Sequence, residues 1–264
     1  MASLLVAAAL LWLVAARRAR AARGPGAVSW RRTALFLTGL GAIAAALASP
    51  IDAGAATRFS VHMVQHLLLA LVAAPLLVLA GPVTLALQVS APATRRRLLR
   101  ALRSRPLAIL AAPSVGWCGF ALVMWASHFS PLYGAALADP GLHALEHLAY
   151  LGSAWLFWSP VAGVDPSPGR LSHPARILYL FLAMPQMTFL GLAIYSARHV
   201  LYPAYGAGPA ALADQRLAGA LMGGGGVLVF LPAVGLLMLD WWAREERAAA
   251  RADRAAARLG GVSP

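Results

Sequence analysis

Seven apolar runs, separated by short arginine-bearing connections, leave this chain little choice of fold. They span residues 2–16, 33–50, 61–89, 107–128, 142–161, 176–197 and 215–241. A helix needs about 20 mostly apolar residues to cross roughly 30 Å of hydrocarbon, and in lipid only helices or closed barrels satisfy the backbone internally. The expected fold class is therefore all-α: a polytopic membrane bundle of seven transmembrane helices. Composition agrees, since 60% of the 264 residues are hydrophobic and only 12% are charged, against about 25% charged in soluble domains. The first run is short, so Arg17 and Arg18 are expected to snorkel from its end. A cleaved signal peptide would carry its positive charge before the apolar stretch, whereas here the arginines follow it, so a retained helix is expected. The third run is long, and Gly81-Pro82 is expected to kink or end it.

The charges give the orientation. All 22 basic residues are arginine, and 19 of them lie in the connections 17–32, 91–106 and 165–176 or in the tail from Arg244 onward. The alternate connections hold only Arg58, Arg198 and Arg216. Positive residues stay cytoplasmic, so the N-terminus is expected outside and the C-terminus inside. Residues 1–243 then form the transmembrane domain and 244–264 a charged cytoplasmic tail. A net charge of +13 could suggest nucleic acid, but no aromatic-basic surface is interleaved for stacking on bases. The lipid bilayer is the expected partner. The single cysteine, Cys118, excludes a disulfide framework or a CxxC motif.

Six of the seven histidines fall at the outer ends of the expected spans; the exception is His173. HMVQH and HALEH each place two imidazoles at i and i+4, one turn apart on one helix face. That spacing lets a helix grip one metal ion with two nitrogens. His62, His66, His143 and His147 are the candidate metal ligands, with His66 and His147 expected to face each other. Histidines at helix ends are also commonly just hydrogen-bonded in the headgroup zone. His128 and His199 lie at the edges of spans and are weaker candidates. HALEH also reads as H-x-x-E-H, an inverted zinc-protease motif with Glu146 as base and Asp214 as the attractive downstream carboxylate. Glu146 equally suits a second role, orienting a histidine. Met63, Met184 and Met187 are weaker candidates because thioethers favour Cu(I), although methionine is also ordinary packing. Pro185 is expected to free a carbonyl in the sixth span, and Gly223–Gly226 to permit close helix approach in the seventh.

With these residues in view, the chain resembles the CtaG-type cytochrome c oxidase assembly factors. The resemblance rests on ALASPID and HMVQHLLL (46–52 and 62–69), SPLY (130–133), HALEHLAYLGSAWLFWSPV (143–161), LAMPQMTFLGLAIYS (182–196) and DQRLAGALM (214–222). It implies a multi-pass protein of a bacterial plasma membrane, needed to build a haem-copper terminal oxidase. Oxidase subunits would be its partners and copper its metal. The expectation is a non-enzymatic assembly factor that binds or delivers copper through outward-facing histidine pairs. The alternative is a redox protein with haem held between His66 and His147. A transporter is disfavoured because the mid-membrane region lacks any Asp, Glu or Arg for a pathway.

Overall fold

The structure, a computed structural model, describes residues 1–167 and 169–260. Among these residues all regular elements are helical, as expected. They run α1 (Ala2–Arg23), α2 (Trp30–Leu47), α3 (Pro50–Ala55), α4 (Phe59–Leu67), α5 (Ala74–Ala80), α6 (Pro82–Val89) and α7 (Pro92–Leu102). There follow α8 (Arg105–Leu110), α9 (Pro113–His128), α10 (Leu132–Ala138), α11 (Pro140–Ala162), α12 (His173–Tyr195) and α13 (Gly208–Gly260). Each apolar run is mostly helical, and four segments are long and apolar enough to cross a membrane: Ala2–Arg23, Phe59–Val89, His173–Tyr195 and Gly208–Arg254. Helix α13 passes the expected boundary at residue 243 without a break.

The largest core joins α4, α9, α11, α12 and α13 around Phe120, Tyr150, Phe157, Leu180 and Phe230. A second core packs α2 against α5 and the turn before it, and a third seats α1 on α2 and α6 through Trp12, Ala16 and Ala19. Helix α1 is longer than its apolar run because its last turns are held from the side. Arg20 donates to the Val28 carbonyl at 2.9 Å and to Thr33 Oγ1 at 3.1 Å.

At two breaks of the helical ladder a side chain from another element supplies the missing partner. Between α4 and α5 the chain makes one π-helical stretch, Leu68–Ala73. In i→i+5 geometry the carbonyl of Ala70 would bond the amide of Pro75, which has no N–H. The Trp158 indole from α11 donates to that carbonyl at 3.0 Å instead. At Gly81-Pro82 the helix does break, as expected, with Gly81 left-handed at φ +70°. Arg32 from α2 reaches across and donates to the carbonyls of Ala80 and Gly81, both at 2.6 Å. Asp165, after α11, caps the restart by accepting from the amides of Val83 and Thr84.

Helices α12 and α13 pack along each other over their length. Glycine is required at two points of this seam. A Cβ on Gly191 would stand 2.5 Å from the Gly219 carbonyl oxygen, and one on Gly219 would stand 2.6 Å from the Gly191 oxygen. Gly223 is different, because a Cβ there meets nothing closer than 3.7 Å. Close approach therefore involves Gly191 and Gly219 as well as the glycine run read from sequence. Gly191→Ala should lower the unfolding temperature of the detergent-solubilised protein, with a cost of about 1–3 kcal/mol for overpacking. Gly223→Ala should leave that temperature nearly unchanged; equal losses in the two variants would contradict this packing.

Candidate functional site

Two helix starts aim the histidine pairs at each other. Helix α11 begins at Pro140, with its first amides capped by the Asp139 carboxylate at 2.7 and 2.9 Å to Gly141 and Leu142. This sets the register of His143, Glu146 and His147. Helix α4 has no cap from its own N-cap residue, Arg58. Asp214 of α13 replaces it, accepting from the Ser60 amide at 3.2 Å and from the Ser60 hydroxyl. The neighbouring Gln215 accepts from the Leu201 amide at 2.7 Å and donates to the His199 carbonyl at 3.2 Å. The Asp-Gln pair thus fastens the start of α13 to α4 and to the preceding loop.

The four expected ligands come together. The Nε2 atoms of His62 and His66 are 2.9 Å apart. Ring centroids of His62 and His143 are 5.2 Å apart, those of His66 and His147 6.0 Å, and those of His143 and His147 4.3 Å. The closest pairing across the two helices is therefore His62 with His143 rather than His66 with His147. Ligand atoms of His62, His143 and His147 lie within 4.8 Å of one another, as do those of His62, His66 and Glu146. His62 belongs to both groups.

Aromatic residues wall the cluster. Tyr150 stacks on His66 with centroids 3.8 Å apart. Tyr205, in the short 3-10 turn Pro203–Tyr205, has its hydroxyl 2.8 Å from His62 Nδ1 and 2.9 Å from the Tyr133 hydroxyl. Burial pushes the Tyr205 hydroxyl well above its usual range, so it stays protonated. This chain of hydroxyls and imidazoles ends at His66 Nδ1, which is buried without a hydrogen-bond partner. His143 Nε2, His147 Nε2 and both carboxylate oxygens of Glu146 are in the same condition. Buried polar atoms ordinarily have partners, and leaving one unsatisfied costs about 1–3 kcal/mol. Five such atoms on four neighbouring residues, all nitrogen or carboxylate oxygen, match the donor chemistry of a transition-metal cation.

Other candidates land elsewhere. Asp214 is committed to capping α4, so the H-x-x-E-H protease reading loses its third ligand. Glu146 hydrogen-bonds no histidine; its oxygens lie at ligand distance from the cluster instead of orienting a ring. Met187 is buried against Gly226, and Met184 packs at the edge of the large core. His199 is exposed, and His173 sits 3.2 Å from Asp240. His128, read from sequence as an edge residue, is 2% exposed, because the α10 segment and the Tyr202 loop fold over the end of α9. Its carbonyl accepts from the Tyr202 hydroxyl at 2.6 Å. The tyrosines were missed as site residues, although SPLY and LYPAY carried the signal of a proline-set turn presenting an aromatic.

Fold and site together define a helical protein of membrane-spanning character with a histidine cluster where α4 and α11 meet. Over residues 10–244 the chain matches the cytochrome c oxidase caa3 assembly factor family, and it belongs to that family. An uncharacterized protein of Mycobacterium bovis is 30% identical over 236 residues, covering 84% of this chain and 36% of its own length. An uncharacterized protein of Mycobacterium leprae is 29% identical over the same share of each chain. The chain thus spans about a third of the curated relatives it matches. No solved structure matches it significantly.

Asp214→Ala should cost about 0.5–2 kcal/mol of stability, the usual worth of a lost helix cap. Metal content of the purified protein, measured by mass spectrometry, should stay at the wild-type level. A loss of metal without a loss of stability would instead make Asp214 a ligand.

Proposed function

We propose that this protein is a non-enzymatic assembly factor of the bacterial plasma membrane that holds copper as cargo for a haem-copper oxidase. The observation that carries the reading is the meeting of α4 and α11 at five residues, where the ligand atoms of His62, His143 and His147, and of His62, His66 and Glu146, lie within 4.8 Å of one another and buried donor atoms of His143, Glu146 and His147 have no partner. Ligands about 2.05 Å from a common centre stand about 2.9 Å apart across a right angle and about 3.3 Å apart across a tetrahedral edge. The His62–His66 separation of 2.9 Å is in that range. Imidazole suits both copper and zinc, and the divalent affinity order favours copper. Four imidazoles and a carboxylate from only two helices form an adaptable set. Each helix can hold the ion with its own pair while the other pair lets go, which suits release to a partner.

The family supports the oxidase as client. Arginine distribution supports seven spans with the N-terminus outside and the C-terminus cytoplasmic. On that topology the histidine cluster faces outward, where thiols oxidise readily and imidazoles do not. The haem alternative has less support. A porphyrin needs a flat slot between two opposed imidazoles, whereas Tyr150 covers one face of His66 and His62 meets its edge.

Reporter fusions after Pro50, Asp139 and Gly208 should all read as external; a cytoplasmic reading from any of them would break the topology. Deleting the protein should lower assembled oxidase while oxidase transcripts stay normal. His66→Ala and His147→Ala should reproduce the loss, with partial recovery on added copper. Full oxidase activity in both variants, with the protein present in the membrane, would overturn copper handling and leave an assembly role through contacts alone.

A further inference from the structure

We infer a second metal site, distinct from the four-histidine cluster, in which Met63 Sδ and His128 Nε2 together bind a soft monovalent cation of the Cu(I) class. The argument starts from the protons. His128 Nδ1 lies 2.6 Å from the carbonyl oxygen of Met124. A carbonyl only accepts, so Nδ1 carries the hydrogen, and a neutral imidazole then presents a bare lone pair at Nε2. That nitrogen faces Met63 Sδ at 3.2 Å. A thioether sulfur has lone pairs and no hydrogen to give. Two acceptors therefore point at each other in a fully buried place, with Met63 0% and His128 2% exposed.

Such a contact calls for a positive charge between or beside the two atoms. A proton on Nε2 would meet the need only by burying an imidazolium, and no carboxylate hydrogen-bonds His128 among the described residues. An unpaired buried charge of that kind is costly. A soft cation meets the need differently: thioether and imidazole are its preferred donors, and neither has to be deprotonated. The surroundings have the marks of a metal ligand's support. The carbonyl of Met124 orients the imidazole, and Ser127 Oγ and Tyr150 Oη lie 3.2 and 3.3 Å from the same Nδ1. A cleft of about 430 Å³ lined by His128, Tyr133 and Tyr202 opens beside His128.

The inference does not depend on whether the outer cluster holds an ion. It is tested on the full-length purified protein with two probes: Ag(I), soft and redox-inert, and Zn(II), borderline and content with nitrogen. Ag(I) should bind with a sulfur neighbour in X-ray absorption, and selenomethionine labelling should convert that neighbour to selenium without any substitution. Met63→Leu should lower Ag(I) affinity about tenfold or more, while Zn(II) binding and the Met184→Leu control stay at wild-type levels. A shell of nitrogen and oxygen only, or unchanged Ag(I) affinity in a folded Met63→Leu protein, would overturn the site and identify the contact as a protonated imidazole on sulfur. Failure of Zn(II) to bind, with Ag(I) on sulfur intact, would count against the four-histidine reading alone.

Discussion

An unpaired backbone amide or carbonyl has no water to turn to inside an apolar bundle, and the architecture here follows from that. Four interruptions of the helical ladder are met by a side chain from elsewhere in the chain: Trp158 to Ala70, Arg32 to Ala80 and Gly81, Asp165 to the start of α6, Asp214 to the start of α4. These contacts are long-range in sequence, so they also hold the elements in place. Against this background the histidine cluster stands out. There, five buried side-chain donor atoms of four neighbouring residues, His66, His143, Glu146 and His147, have no partner.

The helices that build the site are not the ones best suited to lipid. Only one of the four segments with clear spanning character, Phe59–Val89, carries cluster histidines. Helix α9 falls short of that character by its length of 16 residues, and α11 because it carries two histidines and a glutamate. Their cost is offset by sequestration. His128 and Tyr150 are buried, and Leu122 and Leu148 are turned outward on the same helices.

What could be read from sequence was what a single helix determines. The i,i+4 spacing puts His62 with His66 and His143 with His147 whatever surrounds them, and Gly81-Pro82 breaks a helix in any context. Which residue of one pair meets which of the other depends on packing between α4 and α11, and there the expected partner was off by one turn. His128 was misjudged because its burial is imposed by α10 and the 3-10 turn at Pro203–Tyr205, neither of which touches it in sequence. Asp214 was chemically plausible as a ligand, and only the position of Ser60 shows that its oxygens are already taken.

The π-helical stretch Leu68–Ala73 has one residue more than an α-helix would use to cover the same path. One residue corresponds to about 100° of rotation around the axis. The face that His62 and His66 present toward α11 is therefore out of phase with the face that Leu77 presents toward α2. The two ends of this span answer to different neighbours, as if two short helices with separate addresses had been spliced into one. Substitutions that refine the histidine-bearing end need not be reconciled with the packing of the other, and the extra residue is what separates the two.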